Sequence, residues 1–156
     1  MLSFEDWLPV LSPDLHESVR WLFSEGPDLI QTGNFERGLL CQFASPNETV
    51  EPLIVSAEEC CLHWGAWRDE PLQGEGWQAR NAAMRTVRKL KLIQRGELLR
   101  LEGYRKDGRR LLTMLEPQDR ATKKTAESAL NRTVPKVWIT HWLEGKSEAP
   151  IGSYPF

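Results

Sequence analysis

The sequence predicts an α+β protein, because helical and strand-like patterns alternate along its 156 residues. A helix start at Ser12-Pro13-Asp14 and an Asp-Gly pair between two alternating apolar stretches are the clearest of these patterns. The Asp-Gly pair predicts a β-hairpin over residues 97–116, since a tight turn needs positive φ and Gly adopts it without steric cost. A composition of 40% hydrophobic and 27% charged residues suits one core. We therefore expect a single domain over residues 1–156.

The N-terminal region contains one predicted helix. Ser12 can cap free N–H groups, Pro13 fits the first helical position, and Asp14 favours the positive end of the helix dipole. Gly26 is a suitable stop. Between these ends, apolar residues recur at helical spacing: Leu15, Val19, Leu22 and Phe23.

The middle of the chain predicts two strands and two helices. Residues 38–43 and 50–55 are short apolar runs separated by a Ser-Pro-Asn turn, which is typical of neighbouring strands. A serine with a glutamate three residues later then resembles a capping box and predicts a helix over 57–67. After a break rich in Pro and Gly, a second helix is expected over 77–92.

In the C-terminal third, a polar helical stretch over residues 118–131 follows the hairpin. Pro135 then precedes a strand over 136–142. Residues 144–156 have no apolar periodicity, so we expect a flexible tail there. The fold predicted from these elements has a core over about 53–115, an N-terminal helix and a C-terminal helix and strand extension.

Several function classes are disfavoured by composition. No apolar run is long enough to span a bilayer and no signal pattern begins the chain, so we expect a cytoplasmic protein without a membrane contact. Cys41, Cys60 and Cys61 include an adjacent pair and no Cys-x-x-Cys spacing, which favours buried thiols over a metal site. No nucleophile signature accompanies the histidines, so we expect no catalytic residue and no cofactor.

The net charge of −2 is unevenly distributed. Residues 80–124 carry fourteen Lys and Arg against five Asp and Glu, a net charge of +9, and the remainder carries −11. This asymmetry favours a basic face that meets a polyanion and an acidic N-terminal region that contacts a protein partner.

The predicted helix over 77–92 has one polar face. Ala79, Ala83, Val87 and Leu90 lie opposite it, while Arg80 and Lys91 fall among these apolar positions and need partners of their own. Arg can bind guanine and Asn or Gln can bind adenine through two hydrogen bonds, whereas Lys suits phosphate. The polar face consists of Gln78, Asn81, Arg85, Arg88 and Lys89.

The hairpin tip concentrates like charges. With a two-residue Asp-Gly loop, Lys106 would face Arg109 and Arg105 would face Arg110. Directly opposed like charges destabilise a hairpin by roughly some tenths of a kcal/mol. We expect an external polyanion to offset that repulsion.

These residues together resemble the winged helix-turn-helix family over about residues 53–115. The resemblance is carried by a capped helix, a break, a second helix containing Arg85-Thr86-Val87-Arg88-Lys89-Leu90, and a hairpin with a basic tip. It implies that the 57–67 helix supports the 77–92 helix, which enters the major groove of double-stranded DNA. It also implies that the hairpin is the wing, whose cations at 105, 106, 109 and 110 contact the DNA backbone or minor groove. The implied function is a small DNA-binding transcriptional regulator or replication and repair accessory factor.

Two alternatives remain open from the residues alone. The basic hairpin could dock on an acidic protein surface, as in an interaction module or inhibitor, or the same face could bind RNA. For assembly, we expect a homodimer, since small helix-turn-helix proteins commonly bind DNA as symmetric dimers. The candidate apolar contacts of that dimer are Trp21, Leu22, Trp138 and Trp142.

Overall fold

The computed structural model describes residues 20, 21, 24–32, 39–56, 61–69 and 77–151. The chain divides into two compact units, where the sequence analysis predicted one domain. The first unit comprises residues 1–44 and 51–91, and the second comprises residues 45–50 and 92–156.

The first unit contains a five-stranded antiparallel sheet in the order β1-β2-β3-β4-β5. Its strands are β1 (Leu29–Thr32), β2 (Leu39–Phe43), β3 (Leu53–Ser56), β4 (Cys61–Trp64) and β5 (Trp67–Arg68). The predicted strands over 38–43 and 50–55 are confirmed as β2 and β3, whereas β1 was not predicted. Apolar side chains of β2, β3 and β4 form the buried part of this sheet.

The helix predicted over 57–67 is wrong for its described residues, which form β4 and β5. Leu53 of β3 lies opposite Trp64, and Val55 lies opposite Leu62, so all four side chains are buried within one sheet. A helix cap contributes about 1 kcal/mol, whereas burying each large apolar side chain contributes about 1.5–3 kcal/mol. Cross-strand packing therefore overrides the local helix signal. The α+β class is confirmed, but the supporting helix of a helix-turn-helix unit is absent from residues 61–68.

Helix α1 (Trp77–Gln94) confirms the second predicted helix and extends it by two residues. Its end is set by Gly96, whose φ of +77° is the left-handed conformation that Gly adopts most easily. The Gly96 N–H donates to the Ile93 carbonyl at 3.0 Å, and the Glu97 N–H donates to the Leu92 carbonyl at 2.9 Å. This pair of hydrogen bonds is a Schellman motif, which satisfies carbonyls of the last helical turn.

The second unit contains a four-stranded antiparallel sheet in the order β7-β6-β8-β9. Helix α2 follows a single 3₁₀ turn, and its first turn is capped by Thr122, whose side chain accepts a hydrogen bond from the Thr125 N–H. The predicted hairpin, polar helix and last strand are confirmed. The elements are β6 (Leu98–Tyr104), β7 (Arg110–Pro117), α2 (Lys123–Leu130), β8 (Lys136–His141) and β9 (Gly145–Glu148).

One face of this sheet packs against α2. Leu99 and Leu101 of β6 and Val137 and Ile139 of β8 point to this side, where they meet Ala126 of the helix in one buried cluster. Because side chains alternate across a strand, the residues between them point to the opposite face. We call that opposite face the open face after its accessible β6 and β8 residues, Tyr104, Lys136 and Trp138; its other residues on these strands, Arg100, Glu102 and Thr140, are buried.

The flexible tail expected from residue 144 is wrong over residues 145–148, which form β9. Strand β9 pairs with β8, and the chain beyond it is held by a hydrogen bond from the Ala149 N–H to the Val137 carbonyl at 2.8 Å. The Gly-Lys-Ser-Glu sequence lacks apolar alternation because β9 is an edge strand whose last three residues are exposed. Residues 152–156 lie outside the described part of the chain.

The predicted N-terminal helix lies mostly outside the described residues. Arg20, Trp21 and Ser24 are helical, and Gly26 has a φ of +71°, the conformation expected at a helix end. Among the described residues, no helix is both long and apolar enough to cross a bilayer.

Candidate functional site

The hairpin between β6 and β7 ends in a three-residue loop. The Arg105 N–H donates to the Arg109 carbonyl at 2.8 Å, and the Gly108 N–H donates to the Arg105 carbonyl at 3.0 Å. Gly108 has a φ of +85°, which fits a type I turn followed by a left-handed residue. The Asp107 carboxylate accepts the Arg109 N–H at 3.0 Å. Backbone hydrogen bonds and one side chain thus define the shape of the loop.

The expected pairing of the tip cations is therefore wrong. Arg105 faces Arg109, Tyr104 faces Arg110, and Lys106 lies within the loop. The register shifts between Gly103 and Tyr104, so the loop gains one residue relative to a two-residue turn. One pair of like charges still meets directly at the end of the hairpin.

The four predicted wing cations, Arg105, Lys106, Arg109 and Arg110, are all exposed. None of them forms an ion pair with another residue in the described part of the chain. Within the described part of the chain their charges are therefore not neutralised by an ion pair, although the Asp107 carboxylate lies in the same loop. We call these four cations the basic tip.

A cleft of about 390 Å³ adjoins the basic tip. It adds a cation that sequence reasoning missed, Arg132, which lies in the connection from α2 to β8. Asn131 ends α2 with a φ of 51°, and the Arg132 N–H donates to the Glu127 carbonyl at 3.2 Å, so the position of Arg132 is well defined. The cleft is lined by Arg105, Lys106, Asp107, Leu111, Arg132, Thr133 and Pro135.

In the sequence, this connection is indicated only by Asn131, a residue type that often ends helices. Arg132 reaches the basic tip because β8 pairs with β6, with Lys136 opposite Tyr104. That pairing joins residues far apart in the chain, so a reading of local patterns could not place Arg132.

The predicted polar face of α1 is divided in the structure. Arg85 and Arg88 are exposed. The Lys89 ammonium group forms an ion pair with the Asp69 carboxylate at 2.7 Å and lies 5.6 Å from the centroid of the Trp67 ring. Lys89 is thus already partnered. Gln78 and Asn81 belong to α1, but their side chains lie outside the described part of the structure.

Lys91, which the sequence placed among apolar positions, finds a partner. Its ammonium group lies 3.1 Å from the Glu25 carboxylate. The ion pair explains how α1 accommodates a cation at this position.

The open face of the second unit carries a buried ion pair. The Arg100 Nε lies 2.7 Å from the Glu102 carboxylate, with both side chains nearly inaccessible. Arg100 also donates to the Thr140 hydroxyl at 3.2 Å, and the Tyr104 hydroxyl donates to Glu102. Burial, together with the hydrogen bond to Glu102, raises the pKa of Tyr104. The Glu102 charge is therefore neutralised within the sheet.

Cys41 and Cys61 are buried free thiols, as predicted. Burial raises the pKa of Cys41 to about 12, so this thiol is protonated at neutral pH. The Cys61 thiol donates to the Asp69 carbonyl at 3.0 Å. Among the residues with described positions, no group of His, Cys, Asp and Glu could hold a metal ion.

Comparisons with known proteins add no relationship. The chain matches no protein-family model, no curated protein and no solved structure.

Proposed function

We propose that the protein binds nucleic acid, with double-stranded DNA as the expected ligand and the basic tip as a phosphate clamp. The observation that carries this proposal is the group of four exposed cations on a hairpin of defined shape, none with an ion pair in the described structure, beside a cleft that adds Arg132. Phosphates would neutralise the opposed Arg105 and Arg109 and release the counterions condensed on the nucleic acid.

The charge of each unit supports the same proposal. The second unit, which carries the basic tip, contains twelve Lys and Arg against nine Asp and Glu, a net charge of +3. The first unit contains eight against thirteen, a net charge of −5. A polyanion would thus be attracted to the second unit and repelled by much of the first.

We propose fewer nucleic-acid contacts for α1 than the winged-helix resemblance implied. Arg85 and Arg88 are exposed and could contact base edges or phosphates, with Asn81 as the adenine reader. We assign Lys89 to its ion pair with Asp69 rather than to phosphate. Because residues 61–68 are strands, a major-groove role for α1 would need support other than that of a helix-turn-helix pair.

A salt titration of DNA binding tests the clamp. Each phosphate contact contributes about 0.9 to the slope of log K against log salt concentration, so Arg105→Ala/Lys106→Ala should weaken duplex binding and lower that slope by up to about 1.8. Fluorescence anisotropy of a labelled duplex at several salt concentrations measures both quantities.

The matched control is Arg95→Ala/Lys124→Ala, which removes the same charge from two exposed positions outside the hairpin. We expect the control to keep the wild-type slope. Equal losses in the two double variants would show a general charge effect and contradict the clamp. A wild-type protein without salt-dependent duplex affinity would reject DNA as the ligand and favour an acidic protein partner.

A further inference from the structure

We propose that the open face of the second unit binds single-stranded nucleic acid, with unpaired bases stacking on Trp138 and Tyr104. This inference rests on the proposed function in that both ligands are nucleic acids. It adds a second contact surface, and it specifies a single-stranded ligand, which the basic tip does not.

The strand register places the two aromatic side chains on the same face. Trp138 lies opposite Glu102, and Tyr104 lies opposite Lys136, so both rings belong to the face that points away from α2. The α2 side is filled by the apolar cluster. The aromatic pair is therefore not part of that core, and Trp138 and Tyr104 are each partly accessible.

The two rings are neighbours beneath one ammonium group. The Lys146 Nζ lies 5.9 Å from the centroid of the Tyr104 ring and 5.7 Å from that of the Trp138 ring. A second ammonium group, that of Lys136, lies 4.6 Å from the Trp138 ring. Both lysines are exposed. Their flexible stems would let the ammonium groups move to phosphates while bases take the ring faces.

The charge of the open face suits this ligand. The Glu102 charge is paired with that of Arg100, and Glu102 also accepts a hydrogen bond from the Tyr104 hydroxyl, so this carboxylate repels phosphate little. Glu148, opposite Trp138, is an exposed carboxylate on this face. The same face carries three cations, Lys136, Lys146 and Arg110, so its positive charges outnumber this carboxylate. Arg110 lies opposite Tyr104 at the end of the hairpin. The positive surface thus continues from the aromatic pair to the basic tip.

Stacking selects for an unpaired strand. In a duplex the faces of the bases are covered by their neighbours, whereas a single strand can place successive bases on aromatic rings. A pair of aromatic rings bordered by mobile cations on a β-sheet provides both contacts without requiring a particular sequence. The expected ligand is accordingly a single-stranded DNA or RNA segment bound with little sequence preference.

The wild-type protein provides the first test. Labelled oligothymidylate and an abasic strand of the same length carry the same phosphates, but only the first carries bases. Fluorescence anisotropy should show that oligothymidylate binds about fivefold to a hundredfold more tightly, as expected for one stacked base. Equal affinity for the two strands, or no affinity for either, would overturn the proposal.

Substitutions then locate the stacking surface. Trp138→Leu and Tyr104→Leu should each lower affinity for oligothymidylate by about fivefold to a hundredfold and leave affinity for the abasic strand unchanged. Trp138→Phe and Tyr104→Phe keep a ring and should retain most of the binding. Circular dichroism checks the folding of each variant, and equal losses for both strands in a folded Leu variant would contradict stacking.

The outcomes separate this inference from the duplex clamp. Failure of the clamp alone would leave base-dependent binding of oligothymidylate that requires Trp138 and persists in Arg105→Ala/Lys106→Ala. Failure of the open face alone would leave salt-dependent duplex binding and remove the difference between the oligothymidylate and abasic strands. A parallel titration with oligouridylate distinguishes RNA from DNA, since contacts to the 2′-hydroxyl would favour the ribose strand.

Discussion

At the scale of single residues, the sharpest constraint is the approach of Gly96 to His141. The backbone of Gly96 has a positive φ, and a Cβ built on it would lie 2.4 Å from the His141 Nε2. The other ring nitrogen of His141, Nδ1, accepts the N–H groups of Leu143 and Glu144 at 3.1 and 3.2 Å. These hydrogen bonds fix the ring that Gly96 approaches, so the turn after α1 meets the end of β8 at this glycine.

We expect Gly96→Ala to destabilise the protein more than Gly108→Ala. Both glycines have positive φ, and a left-handed conformation costs a residue with Cβ about 1–2 kcal/mol. Only at Gly96 must a side chain also move, since a Cβ at Gly108 meets nothing within 4 Å. Urea unfolding should therefore give Gly96→Ala an additional loss of about 1 kcal/mol or more. Equal losses of stability in the two variants would mean that the His141 side chain moves away from the new Cβ without a measurable cost.

At the scale of elements, local chemistry sets three of the turns in the second unit. Gly96 closes α1, Asn131 closes α2, and Gly108 closes the hairpin, each with a positive φ. Each of these turns places a functional or packing residue: His141 contacts the first, Arg132 follows the second, and the basic tip surrounds the third. Turn chemistry therefore positions residues of the candidate site.

The N-cap of α2 provides a test at this scale. Thr122 accepts the Thr125 N–H through its side chain at 3.2 Å, so Thr122→Ala should cost about 1 kcal/mol of stability. Ser128→Ala, at an exposed position of the same helix, is the control and should change stability little. Thermal unfolding of both variants measures the difference. A loss in Ser128→Ala as large as that in Thr122→Ala would argue against the cap.

At the scale of the whole molecule, charge is unevenly distributed between the two units, with the excess of cations in the second unit and the excess of carboxylates in the first.

Self-association is the other property that belongs to the scale of the whole molecule. Trp142 is only 2% exposed, so its side chain is not accessible to a second copy of the chain and leaves the set of candidate dimer contacts. Trp21 and Trp138 are partly accessible and stay in that set, whereas the Leu22 side chain lies outside the described residues.

We still expect a homodimer, and sedimentation at micromolar concentration measures it. If Trp138 lies in the dimer contact, a single strand stacked on its ring would compete, so oligothymidylate should shift the protein toward the monomer. Trp138→Leu would then reduce both dimerisation and single-strand binding. A single 17.9 kDa species at every concentration would contradict the dimer and leave Trp138 to the open face alone.

Much of the fold could be predicted because neighbouring residues determine it. Caps, turns and periodicity located β2, β3, α1, the hairpin, α2 and β8 within a few residues. The errors at β4 and β9 have one cause, since each becomes a strand through a partner strand rather than through its own pattern. For the candidate site, the sequence predicted the cations that the structure shows exposed at the hairpin tip, but it did not predict their pairing, the position of Arg132 or the ion pair of Lys89.

The sequence by itself determined that this chain combines helices with antiparallel strands and concentrates cations at one hairpin, because Asp-Gly turns and like charges act over a few residues. Only the tertiary structure decided that Tyr104, Trp138 and Lys146 share one face and that Arg132 lies beside the hairpin. These residues are distant in the chain and meet through the pairing of β6, β8 and β9. Such pairing depends on the burial of a whole sheet, which no short stretch of sequence encodes.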